Sequence, residues 1–252
     1  MADTHAVDCH TPVTAPDITL HTYFRSSCSA RVRMALNLKG LSYTPVYIHL
    51  LKNEQSSAEY TTVNPLGAVP TITFTTGSEA SGKKDTFVLT QSIAILEYLE
   101  ETFPSPHYRS LLPSTAAARA RVRQLCNIIA CDVQPVTNLR ILRDVKALAT
   151  AAGRDAESAG TEWQQKHMAA GLAAYEDVLS RQGTAGRYSV GDEITMADLC
   201  LLPAVDAAER FGVDVAGRFP AVERVRRALE QVDEIVRGGW RAQGDTPAEF
   251  RC

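Results

Sequence analysis

Ser26-Ser27-Cys28-Ser29 sets three hydroxyls and a thiol side by side where a strand-like run gives way to a helical one. Backbone N–H groups at a helix N-terminus point outward and carry partial positive charge. A thiolate is stabilised there, and so is a small anion. Serine capping alone accounts for one hydroxyl but not for the thiol or the other two. A second candidate is Val69-Pro70 at the start of a later strand, where proline cannot donate to a ladder. If that bond is cis, the turn exposes the Val69 backbone, and a peptide-like ligand can pair with it as a short added strand. An ordinary trans proline on an edge strand is the competing reading. The third candidate is Gln91-Ser92. The Ser92 hydroxyl and the N–H groups after it would hold a carboxylate, or simply cap the helix.

The elements around these residues follow from hydrophobic periodicity. Ile18 to Phe24 reads as a strand and Ser29 to Lys39 as a helix, with Val32, Ala35 and Leu36 on one face and Gly40 closing it. Tyr43 to Leu50 is a second strand, so the first three elements form a parallel βαβ unit with a right-handed crossover. Lys52 to Asn64 is polar and holds at most a short helix. Val69 to Phe74 and Phe87 to Leu89 are strands three and four, joined by a long, mobile hairpin loop from Thr75 to Thr86. Ser92 then opens a helix as its N-cap. This order is that of an α/β thioredoxin-like domain, in which all three candidate turns lie along one edge of the sheet. Together they offer an anion site, a backbone-pairing site and a thiol-activating site, which suits glutathione.

Beyond Pro104 the pattern turns all-helical. Val122, Leu125, Ile129 and Val133 recur at helical spacing, and Pro135 is expected to break that run. Thr150 to Thr161 is small and polar and reads as a loop. Trp163 to Gln182, Met196 to Phe211 and Ala221 to Glu230 read as helices, the second opened by a capping box of Thr195 with Asp198. The division is residues 1–17 as a disordered extension, 18–107 as the thioredoxin-like domain and 108–252 as an all-α domain.

The chain has 252 residues, 45% hydrophobic and 22% charged, with a formal net charge of −3. That balance gives no field that gathers nucleic acid or anionic membrane, and no apolar run approaches the roughly 18–20 residues of a membrane span. Residues 1–17 lack the basic start and apolar stretch of a secretory signal. The six cysteines include no Cys-x-x-Cys pair and no zinc-type spacing. Free thiols in a long chain fit a reducing, cytoplasmic setting. Cys126, Cys131 and Cys200 lie in apolar patterns and read as core residues.

The run Tyr23-Phe24-Arg25-Ser26-Ser27-Cys28-Ser29, followed by Arg31-Val32-Arg33, resembles the signature of zeta-class glutathione transferases. Asn64-Pro65, Val69-Pro70-Thr71, Gln91-Ser92, Gln134-Pro135 with Asn138-Leu139, the stretch from Val190 to Cys200, Ala208-Glu209-Arg210-Phe211 and Asp245-Thr246-Pro247 match that class in order and spacing. The resemblance spans nearly everything from Ile18 onward. The extension before it and the loops at 75–86 and 150–161 depart from the pattern. It implies the two-domain glutathione transferase architecture, a homodimer and glutathione as cofactor. It also implies isomerisation of maleylacetoacetate to fumarylacetoacetate in tyrosine and phenylalanine breakdown. In that chemistry a thiolate adds to the cis double bond, the new single bond rotates, and elimination returns the thiol. Ser27 is the hydroxyl assigned to the thiolate, with Cys28 as assistant or bystander. Ser26, Ser27, Cys28, Gln55, Val69, Pro70, Gln91, Ser92, Gln134 and Asn138 are the implied glutathione contacts, Gln55 being placed by counting back from Val69. Arg210 is assigned to a substrate carboxylate, its alternative being a plain cation at a helix C-terminus. Rival functions are a maleylpyruvate isomerase, a haloacid-processing transferase, a glutathione-binding protein without turnover, and a monothiol oxidoreductase working through Cys28.

Overall fold

In the computed structural model, residues 16–77, 84–181, 183 and 185–251 are described. β1 (Asp17–Thr22) leads into α1 (Ser27–Leu38) and then β2 (Thr44–Tyr47). Two short 3₁₀ turns, Leu50–Lys52 and Glu54–Ser56, precede α2 (Ala58–Val63). β3 (Thr71–Thr76), β4 (Asp85–Thr90) and α3 (Ser92–Thr102) complete this part. The sheet order is β2-β1-β3-β4, with β1 and β2 parallel and the other pairs antiparallel. This is the expected thioredoxin-like arrangement. β1 begins at Asp17, so the expected extension of 1–17 is shorter than read, and residues 1–15 lie outside the described ones. The hairpin loop is shorter too, because β3 and β4 pair out to Thr76 and Asp85. Its residues 78–83 are outside the described set.

The helical part comprises α4 (Ala116–Asn127), which runs on as a π-turn over Ile128–Val133, then α5 (Leu139–Ala151), α6 (Ala156–Arg181), α7 (Met196–Arg210), α8 (Val215–Arg218), α9 (Pro220–Leu229) and α10 (Asp233–Gly238). Two further 3₁₀ turns follow, Trp240–Ala242 and Ala248–Phe250. Pro135 lies in the break between the π-turn and α5, as expected. The loop read over 150–161 is not there: helix fills both ends of it and only 152–155 connects α5 to α6. Its alanines favour helix, and the Asp155 carboxylate accepts the Ser158 N–H at 2.7 Å, capping the new start. Cys126 and Cys200 are buried, but Cys131 is exposed. The π-turn breaks the 3.6-residue period that placed Cys131 inside.

One apolar core runs through both parts, from Leu20, Val32, Leu36 and Ile72 to Leu125, Leu172, Leu199 and Val225. α1 packs on α7 and on α10. At the second contact a Cβ on Gly238 would come within 2.8 Å of the Met34 nitrogen, so this approach admits only glycine. Buried Arg33 stitches the same place. It donates from Nε to the Gly238 carbonyl at 2.9 Å, from Nη1 to Thr22 Oγ1 at 2.8 Å and from Nη2 to the Phe24 carbonyl at 3.2 Å. At the head of α7 the buried Asp198 carboxylate accepts the Thr195 N–H at 2.8 Å and the Ser189 N–H at 2.8 Å, the acidic half of the expected capping box.

Candidate active site

The strand register explains why three turns far apart in sequence meet. His21 near the end of β1 stands opposite Thr71 at the start of β3, and Thr71 stands opposite Thr90 at the end of β4. The chain therefore leaves β1 into the Ser26 turn, enters β3 from Val69-Pro70 and leaves β4 into Gln91-Ser92 at one edge of the sheet. Thr71 is also the anchor for the middle turn. Its hydroxyl bonds the Tyr60 hydroxyl at 2.9 Å and the Asn64 amide at 3.0 Å, and both of those groups donate to the Ala68 carbonyl. The Val69–Pro70 bond is cis, as the peptide-pairing reading requires. Among the described residues the Val69 N–H and C=O take no backbone partner.

At the first turn Ser26 is the N-cap of α1, its Oγ accepting the Ser29 N–H at 3.1 Å. The Ser27 hydroxyl donates to the carbonyl of Pro203 in α7 at 3.2 Å. That is longer than an ordinary O–H···O bond, so the proton is loosely held. Cys28 is half-buried and free. The third turn differs from expectation in detail. Gln91, at φ 69°, is the N-cap of α3, and Ser92 is its first helical residue. The Ser92 Oγ accepts from Arg31 Nη1 at 3.1 Å, so it is oriented by a buried arginine and does not cap. Its own proton and the N–H groups of the first turn of α3 remain free to donate.

Gln55 sits in a 3₁₀ turn, its Oε1 buried without a hydrogen-bond partner. A Cβ on Gly67, at φ 61°, would stand 3.0 Å from the Gln55 carbonyl, which ties this turn to the approach to Val69. Gln134 and Asn138 lie in the connection between α4 and α5. The Asn138 side chain caps α5 by accepting the Arg140 N–H at 3.0 Å. Neither lines the cleft next described.

That cleft lies between the first turn and the C-terminal half of α7. Arg25, Ser26 and Ser27 form one wall, Pro203, Asp206 and Arg210 the other, and Trp240 closes one end. Arg210, the last residue of α7, does face the serine turn. Three groups here were not picked out from sequence. Arg25 sat inside the quoted run but was given no role. Its guanidinium lies over Phe250 at 4.4 Å and Phe24 at 5.3 Å, with Nε buried and unpartnered. Asp206 precedes Arg210 by four residues on one helix face, a spacing that could have revealed it. Trp240 carries no local signal. Burial lowers the Arg210 pKa and the like charge of Arg25 lowers it further. Burial pushes the Asp206 carboxyl up to about 6, helped by Glu209 and opposed by Arg210.

No helix among the described residues is long and apolar enough to cross a membrane. Residues 25–102 match the family model for the glutathione S-transferase N-terminal domain, and residues 144–237 the one for the C-terminal domain. A maleylacetoacetate isomerase of Aspergillus fumigatus is 50% identical over 239 residues, 94% of this chain and 96% of that protein. Among solved structures, a bacterial maleylpyruvate isomerase described as a zeta-class glutathione transferase is 38% identical. It superposes with a TM-score of 0.78 over 91% of this chain and 100% of its own. A maleylacetoacetate isomerase of Methylobacterium extorquens AM1, with malonate and glutathione bound, is 34% identical, with a TM-score of 0.79 over 91% and 100%. The chain therefore belongs to the glutathione S-transferase family, in its zeta-class branch.

Proposed function

We propose that this enzyme isomerises maleylacetoacetate to fumarylacetoacetate with glutathione as its cofactor, in the breakdown of tyrosine and phenylalanine. The observation that carries the reading is the cleft itself, where the serine turn faces Arg210 across a gap also bordered by Arg25. The residues fit the cofactor. Val69 offers an unpaired peptide group, Gln55 an orphaned buried oxygen, and the head of α3 a set of N–H groups beside Ser92. Bound there, glutathione supplies the nucleophilic thiol. The Ser27 hydroxyl then donates its hydrogen bond to the sulfur in place of the Pro203 carbonyl and so supports the thiolate, with Ser26 and Cys28 beside it. Gln55, Val69, Pro70, Gln91 and Ser92 hold the peptide, and Gln134 and Asn138 border it from the helical part. Arg210 grips a substrate carboxylate through two parallel hydrogen bonds, and Arg25 adds positive charge to the same space. A purified sample should isomerise maleylacetoacetate with glutathione and not without it. Glutathione-dependent disulfide reduction in place of isomerisation would move the function to Cys28. Greater efficiency on maleylpyruvate would transfer the reading to the activity of the 38% identical neighbour.

We infer further that the enzyme is a cytoplasmic homodimer. Six of the eight large apolar side chains exposed among the described residues lie on the α/β part, including Leu51, Leu66, Phe87 and Val88. A second copy covering them removes that apolar surface from water. Light scattering at micromolar concentration should give twice the chain mass, and a monomer mass would refute the dimer.

A further inference from the structure

Asp206 is the one acid lining a cleft otherwise bordered by two arginines, serine hydroxyls and apolar groups. Among the described residues it has no hydrogen-bond partner that could hold its charge; burial and charges at a distance act on it. Those charges come from every side. Glu209 and Arg210 share its helix, Glu230 follows α9, Arg241 belongs to the 3₁₀ turn after α10, and Arg25 faces it from the serine turn. Arg210, four residues on, pulls the carboxyl toward its ionised form, yet burial and the two glutamates prevail. The group thus sits where its charge can change within an ordinary range of pH.

Asp206 and Arg210 line the same cleft wall, so a dicarboxylate held at one end by Arg210 would bring its other carboxylate towards Asp206. We propose that Asp206 sets the charge of the substrate cleft and so determines how tightly it holds dianions. Ionised, it offsets the arginines and repels the second carboxylate of the ligand. Protonated from solvent, it donates a hydrogen bond to that carboxylate. Affinity for dicarboxylates therefore rises as the pH falls through the titration of Asp206. This rests on reading the cleft as the acidic-substrate site.

The test is calorimetric titration of the glutathione-loaded protein with fumarate, a dianion over the range used, from about pH 5.5 to about 8. The wild type should bind fumarate about three- to tenfold more weakly at the upper end than at the lower. Asp206→Asn should keep the tight binding throughout, and Asp206→Ala should be equally flat with pH. Either variant repeating the wild-type pH dependence, or Asp206→Asn binding more weakly at the upper pH, overturns the proposal. So does an absence of fumarate binding in all three proteins. The isomerase assay is a separate measurement. The calorimetric pattern without isomerisation would retain the role of Asp206 and remove the proposed reaction, and the reverse result would do the opposite.

Discussion

Two carboxyl groups, at the junction of the two parts and in the cleft, are both pushed up by burial yet end on opposite sides of the usual carboxylate range. Glu100 has almost no surface left, and burial pushes it up. Hydrogen bonds from Ser110, from the Leu111 N–H at 2.8 Å and from Lys39 at 2.9 Å outweigh that and hold it below the usual range. Asp206 keeps some surface at the cleft, has no such donors, and rises to about 6. The same division runs through the cations. Lys39 and Arg33 spend their donors on the surrounding chain, while Arg25 and Arg210 line the cleft. Where the fold must hold together, polar groups satisfy one another. Where a ligand must be recognised, they are left for it, and the fold bears the cost.

The most damaging way to break this contrast is Glu100→Ala. The Lys39 ammonium is fully buried and would keep only the Phe103 and Arg109 carbonyls, each at 2.9 Å. Removing one member of such a pair costs about 3–5 kcal/mol, and urea unfolding should show a loss of that size. Glu100 also makes its stabilisation disappear in acid. A lowered folded pKa contributes above the unfolded value and is lost as pH falls through the folded one. A midpoint unchanged by the substitution would place the strength of the junction elsewhere.

Next in size is the serine turn. Ser27→Ala should cut turnover by more than Cys28→Ala does. Losing a hydrogen bond to a charged group costs ~1.5–3 kcal/mol, roughly ten- to over a hundredfold in rate. Ser26→Ala is a different experiment, because its Oγ caps α1 and its loss lowers stability by about 1 kcal/mol as well. Equal or reversed effects at Ser27 and Cys28 would assign thiol activation to the cysteine.

Asp206→Asn sharpens the comparison by reversing the acid signature of Glu100. A carboxyl raised from 3.8 to about 6 binds protons in the folded state that it has released when unfolded. Stability is therefore full below pH 3.8 and falls as pH rises towards 6. Two such units correspond to ~2.7 kcal/mol, which residual solvent contact reduces to about 1–2 kcal/mol. The asparagine variant should be more stable than wild type by that amount at neutral pH and no more stable in strong acid. A stability gain independent of pH would mean that packing, not charge, is responsible.

These contrasts also mark what the sequence made legible. The three turns were readable because each is a local signal, and one strand order suffices to bring them together. The loop at 150–161 was misread because alanine, glycine and serine together resemble a linker, although alanine is the strongest helix former. α10 went unseen since six residues carry too little periodicity, yet its Gly238 fixes α1 and Arg33. Arg25 lay in plain view beside Ser26, and only its stacking on Phe250 shows where it points. Asp206 was within reach through its four-residue spacing from Arg210 on α7, but its lack of a partner shows only in the fold.

The smallest expected effect tests whether Arg210 belongs to the cleft or to its helix. As the last residue of α7 it opposes the negative end of the helix dipole, which is worth a few tenths to ~1 kcal/mol. Against this stand its burial and the repulsion from Arg25, both of which disfavour its charge. The two contributions are of similar size and opposite sign, so neutralising Arg210 should leave the melting temperature close to that of the wild type. Binding has no such cancellation, because a glutamine cannot offer a carboxylate two charged parallel donors. With part of the residue still exposed to solvent, the loss is about 1 kcal/mol, roughly fivefold in KM. Arg210→Gln should therefore raise the KM for maleylacetoacetate by that factor while glutathione affinity holds, since the proposed glutathione contacts lie on the opposite wall. A fall in melting temperature with KM unmoved would make Arg210 a helix cap and leave Arg25 as the cation that the substrate meets.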